Sequence, residues 1–214
     1  MKNSTPVKVY LVDDHAVVRE GYKHLLEKAN IQVVAEAESG EQAFDNFDQL
    51  KVDVIVMDLS MPGVGGIETI KKIVSKDKRA RILAFSMHDD VVFSARAMQA
   101  GAKGYVTKSC APSVLVEAVF AVANNKKYLS LDVAKKITSQ NLEAEDSILN
   151  NLSQREFEVF QMLAKGLTLE EIAKLINLDY KTIANTQTRL RQKLNVENGS
   201  QLILAAIKLD ILKV

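Results

Sequence analysis

The 214 residues are 47% hydrophobic and 26% charged, with only 9 Gly and 3 Pro, which excludes a peptide, a disulfide scaffold, collagen and a disordered chain. No apolar stretch approaches the ~18 residues needed to cross a bilayer, because Glu117 interrupts Val114 to Ala123 and Asp58 ends the run from Val54, so no membrane partner is expected. The formal charge of +1 hides an uneven ending: residues 151 to 214 hold 9 basic and 7 acidic groups, and Lys181, Arg189, Arg191 and Lys193 stand between Asp179 and Glu197 with no acidic residue among them. That local bias suggests a polyanion partner. A single cysteine, Cys110, permits no intrachain disulfide and fits a reducing compartment. The polar Met1 to Pro6 offers no apolar core or cleavage site for a secretory signal, so the expected location is cytoplasmic.

Along the first 125 residues, short β-branched runs alternate with helical patterns. Val7 to Val12, Gln32 to Ala37, Val54 to Met57, Arg81 to Phe85 and Gly104 to Val106 have strand length and composition. Val18, Tyr22, Leu25, Leu26 and Ala29 repeat on one helix face, as do Ile67, Ile70, Ile73 and Val74. This alternation predicts a doubly wound α/β domain with a five-stranded parallel sheet over residues 1 to 126. The strand signals stop at Lys127. Residues 127 to 150 read as a linker, with one amphipathic piece around Val133 and Ile137 and a polar stretch from Thr138 to Asn151.

From residue 151 to 214 the pattern is all-α. Ser153 with Glu156, and Thr168 with Glu171, have the S/T-x-x-E form in which a hydroxyl and a carboxylate satisfy the free N–H groups of a first helical turn. Asp179 can cap a third helix, Gly166 suits a junction that needs positive φ, and Ser200 to Leu212 forms the last of about four helices.

Ligands of doubly wound folds bind outside the carboxyl ends of the strands. Here those ends carry Asp13-Asp14, Asp58, Ser86 and Thr107-Lys108. Any one of these Asp residues is most simply a turn or cap residue. Taken together, in a topology that makes strands one and three neighbours about 4.8 Å apart, they are clustered carboxylates that repel unless a cation neutralises them. An all-oxygen site half open to water suits Mg²⁺. The chemistry implied is phosphoryl transfer onto Asp58, with Lys108 and the Ser86 hydroxyl on the phosphoryl oxygens.

The segments Leu11-Val12-Asp13-Asp14-His15, Val56-Met57-Asp58-Leu59-Ser60-Met61-Pro62-Gly63 and Ala100-Gly101-Ala102-Lys103-Gly104-Tyr105-Val106-Thr107-Lys108 resemble the receiver signatures of bacterial two-component response regulators. The resemblance covers about residues 6 to 125. It implies that Asp58 accepts phosphate from a sensor histidine kinase and that Asp13 and Asp14 hold Mg²⁺ with Asp58 and the Ser60 carbonyl. It further implies a hydroxyl switch at Ser86, an aromatic switch at Tyr105 and strand order 2-1-3-4-5. Phosphorylation would then draw Ser86 inward, let Tyr105 fill the space, and reshape the surface of Val91 to Ala100, strand five and Pro112 to Asn124, favouring a homodimer or releasing the DNA-binding helix.

On a helical wheel Ile183, Leu190 and Leu194 fall together, opposite Lys181, Asn185, Thr188 and Gln192, with Arg189 on the flank. An apolar seam backed by amides and cations fits the major groove, and the preceding segment from Leu169 to Ile176 gives helix-turn-helix spacing. Leu152-Ser153-Gln154-Arg155-Glu156, Glu158-Val159, Leu163-Ala164-Lys165-Gly166, Glu171-Ile172-Ala173 and Lys181-Thr182-Ile183 through Lys193-Leu194 resemble the DNA-binding domain of the LuxR/NarL class. That resemblance, over about 151 to 212, implies base reading by Ala184, Asn185 and Thr188, and phosphate contacts by Lys181 and Thr182. The chain departs from the pattern where many members have His at the position of Thr186 and a basic residue at that of Ala184.

The remaining conspicuous residues have simpler readings. His15 is a loop residue and His24 a helix residue. His88, two residues after Ser86, stands where receivers influence phosphoryl hydrolysis. Gly63-Val64-Gly65-Gly66 lacks the Lys-Ser/Thr ending of a P-loop and reads as a flexible turn. A phosphorylation-controlled transcriptional regulator is the leading expectation, with self-catalysed phosphorylation and dephosphorylation but no conventional enzyme activity. Its alternatives are a DNA-binding regulator whose receiver is only a dimerisation platform, and an aspartyl-nucleophile phosphatase, for which the adjacent Asp pair and absent cap insertion are unsuited.

Overall fold

The computed structural model describes residues 5–87, 91–131, 133–134, 148–209 and 211–212, so His88, Ile137 and the polar stretch 138–147 lie outside the described residues. The chain divides into two compact units, Met1–Glu143 and Ala144–Val214. Among the described residues no helix is long and apolar enough to cross a membrane.

The first unit alternates strand and helix in the order β1 (Val7–Val12), α1 (Ala16–Lys28), β2 (Ile31–Ala37), α2 (Gly40–Phe47), β3 (Val54–Asp58), α3 (Gly66–Lys76), β4 (Ile82–Ser86), α4 (Val91–Gln99), β5 (Gly104–Thr107), α5 (Pro112–Ala123) and β6 (Tyr128–Leu129). The strands form one parallel sheet in the order β2-β1-β3-β4-β5-β6. Every residue of β3, β4 and β5 is buried, as expected of central parallel strands covered on both faces, and this explains why Val54–Met57 and Ile82–Phe85 read as unbroken apolar runs. The edge strand β2 alternates between buried and open positions instead.

One sheet face contributes Val9, Leu11, Val54, Val56, Leu83, Phe85 and Val106 to a core shared with Leu26 of α1 and with Leu115, Ala118, Val119 and Val122 of α5. The alternate residues Tyr10, Ile55, Met57 and Tyr105 are equally buried on the other face. The five-strand expectation is corrected by β6, in the stretch read as linker. Its two residues are too short to leave a periodic signal, yet Tyr128 pairs with Gly104 and Leu129 with Tyr105.

The second unit opens with a 3-10 turn at Ile148–Asn151, followed by α6 (Gln154–Ala164), α7 (Leu169–Leu175), α8 (Tyr180–Leu194) and α9 (Gly199–Lys208). Both expected capping boxes form: Ser153 Oγ accepts the Glu156 N–H and Thr168 Oγ1 accepts that of Glu171, each Glu answering to the cap N–H. Asp179 accepts the Thr182 N–H at 2.9 Å, and Gly166 sits at φ +86° between α6 and α7. The last helix runs from Gly199 to Lys208, not Ser200 to Leu212, because Asn198 caps its first turn and Leu209 ends it. Val159, Ile172, Ala173 and Ile183 form the small core that fixes α7 against α8.

Candidate functional site

The parallel register brings three chain segments to one sheet end. Val12 pairs with Met57, so Asp13 follows β1 beside Asp58, the last residue of β3. Lys108 follows β5, two strands away from β3, and its Nζ stands over the Phe85 ring, 5.8 Å from the ring centre. The ammonium lies 2.6 Å from Asp13 Oδ2 and 2.7 Å from Asp58 Oδ2. Asp13 and Asp58 are each only 1% exposed, so this is a buried cation shared by two buried carboxylates.

The other carboxylate oxygens are held by the backbone. Asp58 Oδ1 accepts the Ser60 N–H at 2.9 Å, and Asp13 Oδ1 accepts the His15 N–H at 2.8 Å. Burial pushes the Asp58 carboxyl above its ordinary range, opposed by Lys108 and the Ser60 N–H. Burial pulls Lys108 down, but Asp58 and Asp13 outweigh it and hold the ammonium above its ordinary value.

Ligand atoms of Asp13, Asp14, His15 and Asp58 all lie within 4.8 Å of one another. Asp14 Oδ1 is enclosed with no hydrogen-bond partner, as is Ser60 Oγ. An acidic pocket with an orphaned carboxylate oxygen and a half-open side fits a hard divalent ion. His15, read from the sequence as a plain loop residue, belongs to this cluster; its signal was its place directly after Asp13-Asp14. Ser86 is fully buried at the end of β4, where its carbonyl accepts the Lys108 N–H at 2.7 Å and it pairs with Thr107. Tyr105 is also fully buried, paired with Ala84.

The loop between β3 and α3 packs against the end of β3 that carries Asp58, with the Gly66 N–H donating to the Leu59 carbonyl at 3.3 Å. Gly63 and Gly65 adopt φ +77° and +74°, and Gly66 is pressed against the Asp58 and Leu59 backbone at the start of α3. The run is a turn, as read, whose glycines supply positive φ and a close backbone approach.

In the helical unit, α8 buries Ile183, Thr186, Leu190 and Leu194 and exposes Lys181, Asn185, Thr188, Arg189 and Gln192, with Thr182 and Ala184 half-buried. Thr188 Oγ1 donates to the Ala184 carbonyl at 3.0 Å, and Thr182 Oγ1 donates to Asp179. Thr186 donates to the Thr182 carbonyl at 2.8 Å and is 1% exposed, so it is a packing residue of the helix seam. Lys193, counted with the basic bias, is committed inside the unit: Nζ lies 2.6 Å from Glu156 Oε2 and 3.0 Å from the Asn151 carbonyl.

Comparison with known proteins covers both units. The family described as "Response regulator receiver domain" matches residues 9–120, and "Bacterial regulatory proteins, luxR family" matches residues 150–206. The response regulator UvrY of Escherichia coli K12 is 37% identical over 205 residues, 94% of each chain. A LuxR-family response regulator from Aurantimonas is similar at 43% identity and TM-score 0.61, over 63% of this chain and 96% of that one. The RcsB response regulator of Salmonella typhimurium, solved in a study of its DNA interaction, is similar at 29% identity and TM-score 0.60, over 98% and 100% of the two chains. A receiver match on the unit that holds the acidic pocket, and a luxR match on the unit that presents α8, place this chain among the response regulators with a LuxR-type DNA-binding domain.

Proposed function

We propose that Asp58 is the phosphoacceptor of this response regulator and that α8 carries the output to promoter DNA. The observation that carries the first half is the Lys108 ammonium 2.7 Å from Asp58 and 2.6 Å from Asp13 in a buried pocket. In the transfer, a phosphoryl group moves from a sensor kinase's phosphohistidine to an Asp58 carboxylate oxygen. The P–N bond breaks, a P–O bond forms, and the leaving imidazole keeps the electron pair and takes a proton. Asp13, Asp14, Asp58 and the Ser60 carbonyl would hold Mg²⁺, which supplies a fixed divalent charge to offset that of the phosphoryl oxygens.

The protein's own groups do the rest. The acyl phosphate places new anionic oxygens at the atom Lys108 now grips, so the ammonium keeps its place as counter-charge with its Asp13 bond intact. Ser86 donates its hydroxyl to a phosphoryl oxygen, and the space left at the end of β4 is taken up by Tyr105 repacking within the interior. The altered surface around α4, β5 and α5 favours a homodimer, which presents two α8 helices to two half-sites. Asn185 and Thr188 read base edges with Ala184 against them, while Lys181, Thr182 and Arg189 hold phosphates. Residues 1–126 are assigned to the receiver and 151–214 to DNA binding; 127–150 joins them, its first residues tied to the receiver sheet through β6.

Incubation with Mg²⁺ and a small phosphodonor tests the input half. Intact protein gains one phosphoryl mass, and Asp58→Asn gains none. Absence of the adduct in the wild type, or its survival in Asp58→Asn, refutes the assignment.

A further inference from the structure

At the end of the sheet opposite Asp58, the strands begin around a second concavity, of about 530 Å³. Its wall is made by the chain before β3, the connection from α3 to β4, and the residue before β5. Small-molecule sites have volumes of about 300 to 1,000 Å³, so this one has room for a ligand. Two carboxylates line it, and both are committed within the wall. Asp53 accepts the Lys8 N–H at 2.9 Å and the Arg81 guanidinium at 3.3 Å, and Arg81 is further tied to the Asp53 and Ala123 carbonyls at 2.7 and 2.8 Å. Asp77 accepts the Arg79 N–H at 2.9 Å and its Nε at 3.2 Å.

Three further cations, Lys51, Lys78 and Lys103, line the same cavity, and none of their ammonium groups has a carboxylate or hydrogen-bond partner among the described residues. Lys103 is half-buried, and its backbone is fixed on both sides, its N–H by the Ile82 carbonyl and its carbonyl by the Tyr128 N–H. A cleft lined by one sign of unspent charge focuses its field and concentrates counter-ions. Phe47, Leu50 and Val52 add a half-buried apolar strip to the wall. We propose that this cavity binds a small molecule that carries a diphosphate group, with the three lysines on the phosphates and the apolar strip against an organic ring. Three unspent cations match the roughly three negative charges of a nucleoside diphosphate at neutral pH, whereas a single phosphate, with at most about two, leaves one lysine without a counter-charge.

The test titrates the full-length protein with ADP, pyrophosphate, AMP and inorganic phosphate by calorimetry in Mg²⁺-free buffer, which keeps the acidic pocket out of the measurement. ADP is expected to saturate one site per chain, with an affinity about tenfold above that of AMP and falling as salt rises. ADP binding more tightly than pyrophosphate identifies a nucleoside diphosphate as the ligand, and the reverse order identifies a bare diphosphate; either supports the site. Lys103→Gln, and the double variant Lys51→Gln with Lys78→Gln, are each expected to weaken ADP by about threefold to tenfold. Lys28→Gln, on the exposed end of α1 outside the cavity, removes the same charge and is expected to change nothing. Lys51 and Lys78 are exposed, so the double variant is expected to fold even if Lys103→Gln does not. Absence of saturable binding of ADP and pyrophosphate overturns the inference, as does AMP binding as tightly as ADP. Equal losses in Lys28→Gln and the cavity variants show a diffuse positive field and also overturn it. A loss in Lys181→Ala with none in the cavity variants places the anion on α8 and overturns it as well. None of these outcomes bears on phosphorylation at Asp58.

Discussion

A methyl group on Gly66 would stand 2.1 Å from the carbonyl oxygen of Asp58, with Leu59 Cα at 2.6 Å. Both neighbours are backbone, which cannot swing aside as a long side chain can. The start of α3 therefore sets the position of the strand end that carries Asp58. Gly66→Ala is predicted to cost about 1 to 3 kcal/mol of stability through overpacking. It is also predicted to slow phosphorylation of Asp58 by more than about tenfold under conditions where the protein is folded, since small misplacements of a reacting group are costly. Thermal unfolding and the rate of phosphoryl mass gain measure the two effects. An unchanged rate would mean that the loop packs against Asp58 without governing its chemistry.

Asp58→Asn is predicted to stabilise the receiver at neutral pH while abolishing phosphorylation. Burial raises the folded-state pKa of Asp58 above its usual 3.8, with Lys108 only partly opposing. An acid with a raised folded pKa lowers stability at pH values above that folded value, and the cost vanishes below the unfolded one, where both states are protonated. The variant removes that cost. Its unfolding midpoint should exceed the wild type's at pH 7, by about 1 kcal/mol in free energy, and the difference should shrink as the pH falls toward about 4. A midpoint equal to or below the wild type's at pH 7 contradicts the assignment of strain to this carboxylate.

The site was legible where chemistry coincides with a strand end. Asp13, Asp58, Ser86 and Lys108 follow runs such as Val54–Met57 whose burial is total, so a parallel sheet has to bring them to one edge. What escaped depends on separations that a sequence does not print. Lys193 counts as a free cation until its partner Glu156, 37 residues earlier, is found beside it. Tyr128–Leu129 is too short for periodicity, and Gly66 shows its purpose only when the Asp58 carbonyl is seen against it. His15 lies in the loop after β1, as read, and its nearness to Asp14 shows only once that turn is folded.

The Lys193–Glu156 pair makes the helical unit sensitive to acid. Glu156 is 3% exposed; burial pushes its carboxyl up, but Lys193 and the Ser153 N–H and hydroxyl together outweigh this and hold it below its usual 4.5. A depressed folded pKa contributes stability that is present above the unfolded pKa and is lost as the pH falls through the folded one. Lys193→Met is therefore predicted to destabilise the helical unit at pH 7 by roughly 1 to 3 kcal/mol, because a buried carboxylate loses its counter-charge. The variant should also lose less stability than the wild type on acidification below about pH 4.5. Unfolding at a series of pH values checks this, and equal stability of the two proteins at pH 7 would count against it.

On the proposed reading, the exposed face of α8 carries residues for the DNA backbone and residues for the base edges, and the salt dependence of binding is predicted to distinguish them. Lys181 is an exposed cation in the first turn of the helix, where removing its charge releases one fewer counterion. Lys181→Ala is predicted to weaken binding to operator and unrelated DNA alike, and to flatten the slope of log affinity against log salt by about 1. Asn185 is exposed one turn later, and its amide can pair in two places with an adenine edge. Asn185→Ala should leave the slope unchanged and cost about 1 to 3 kcal/mol on the operator alone, with relaxed preference at one base pair. Lys193→Met supplies the contrast, since its ammonium is already spent on Glu156 and its loss should not alter the slope. If Asn185→Ala weakens all DNA equally, or Lys193→Met flattens the slope as Lys181→Ala does, α8 is not oriented in the groove by the face that its burial pattern exposes.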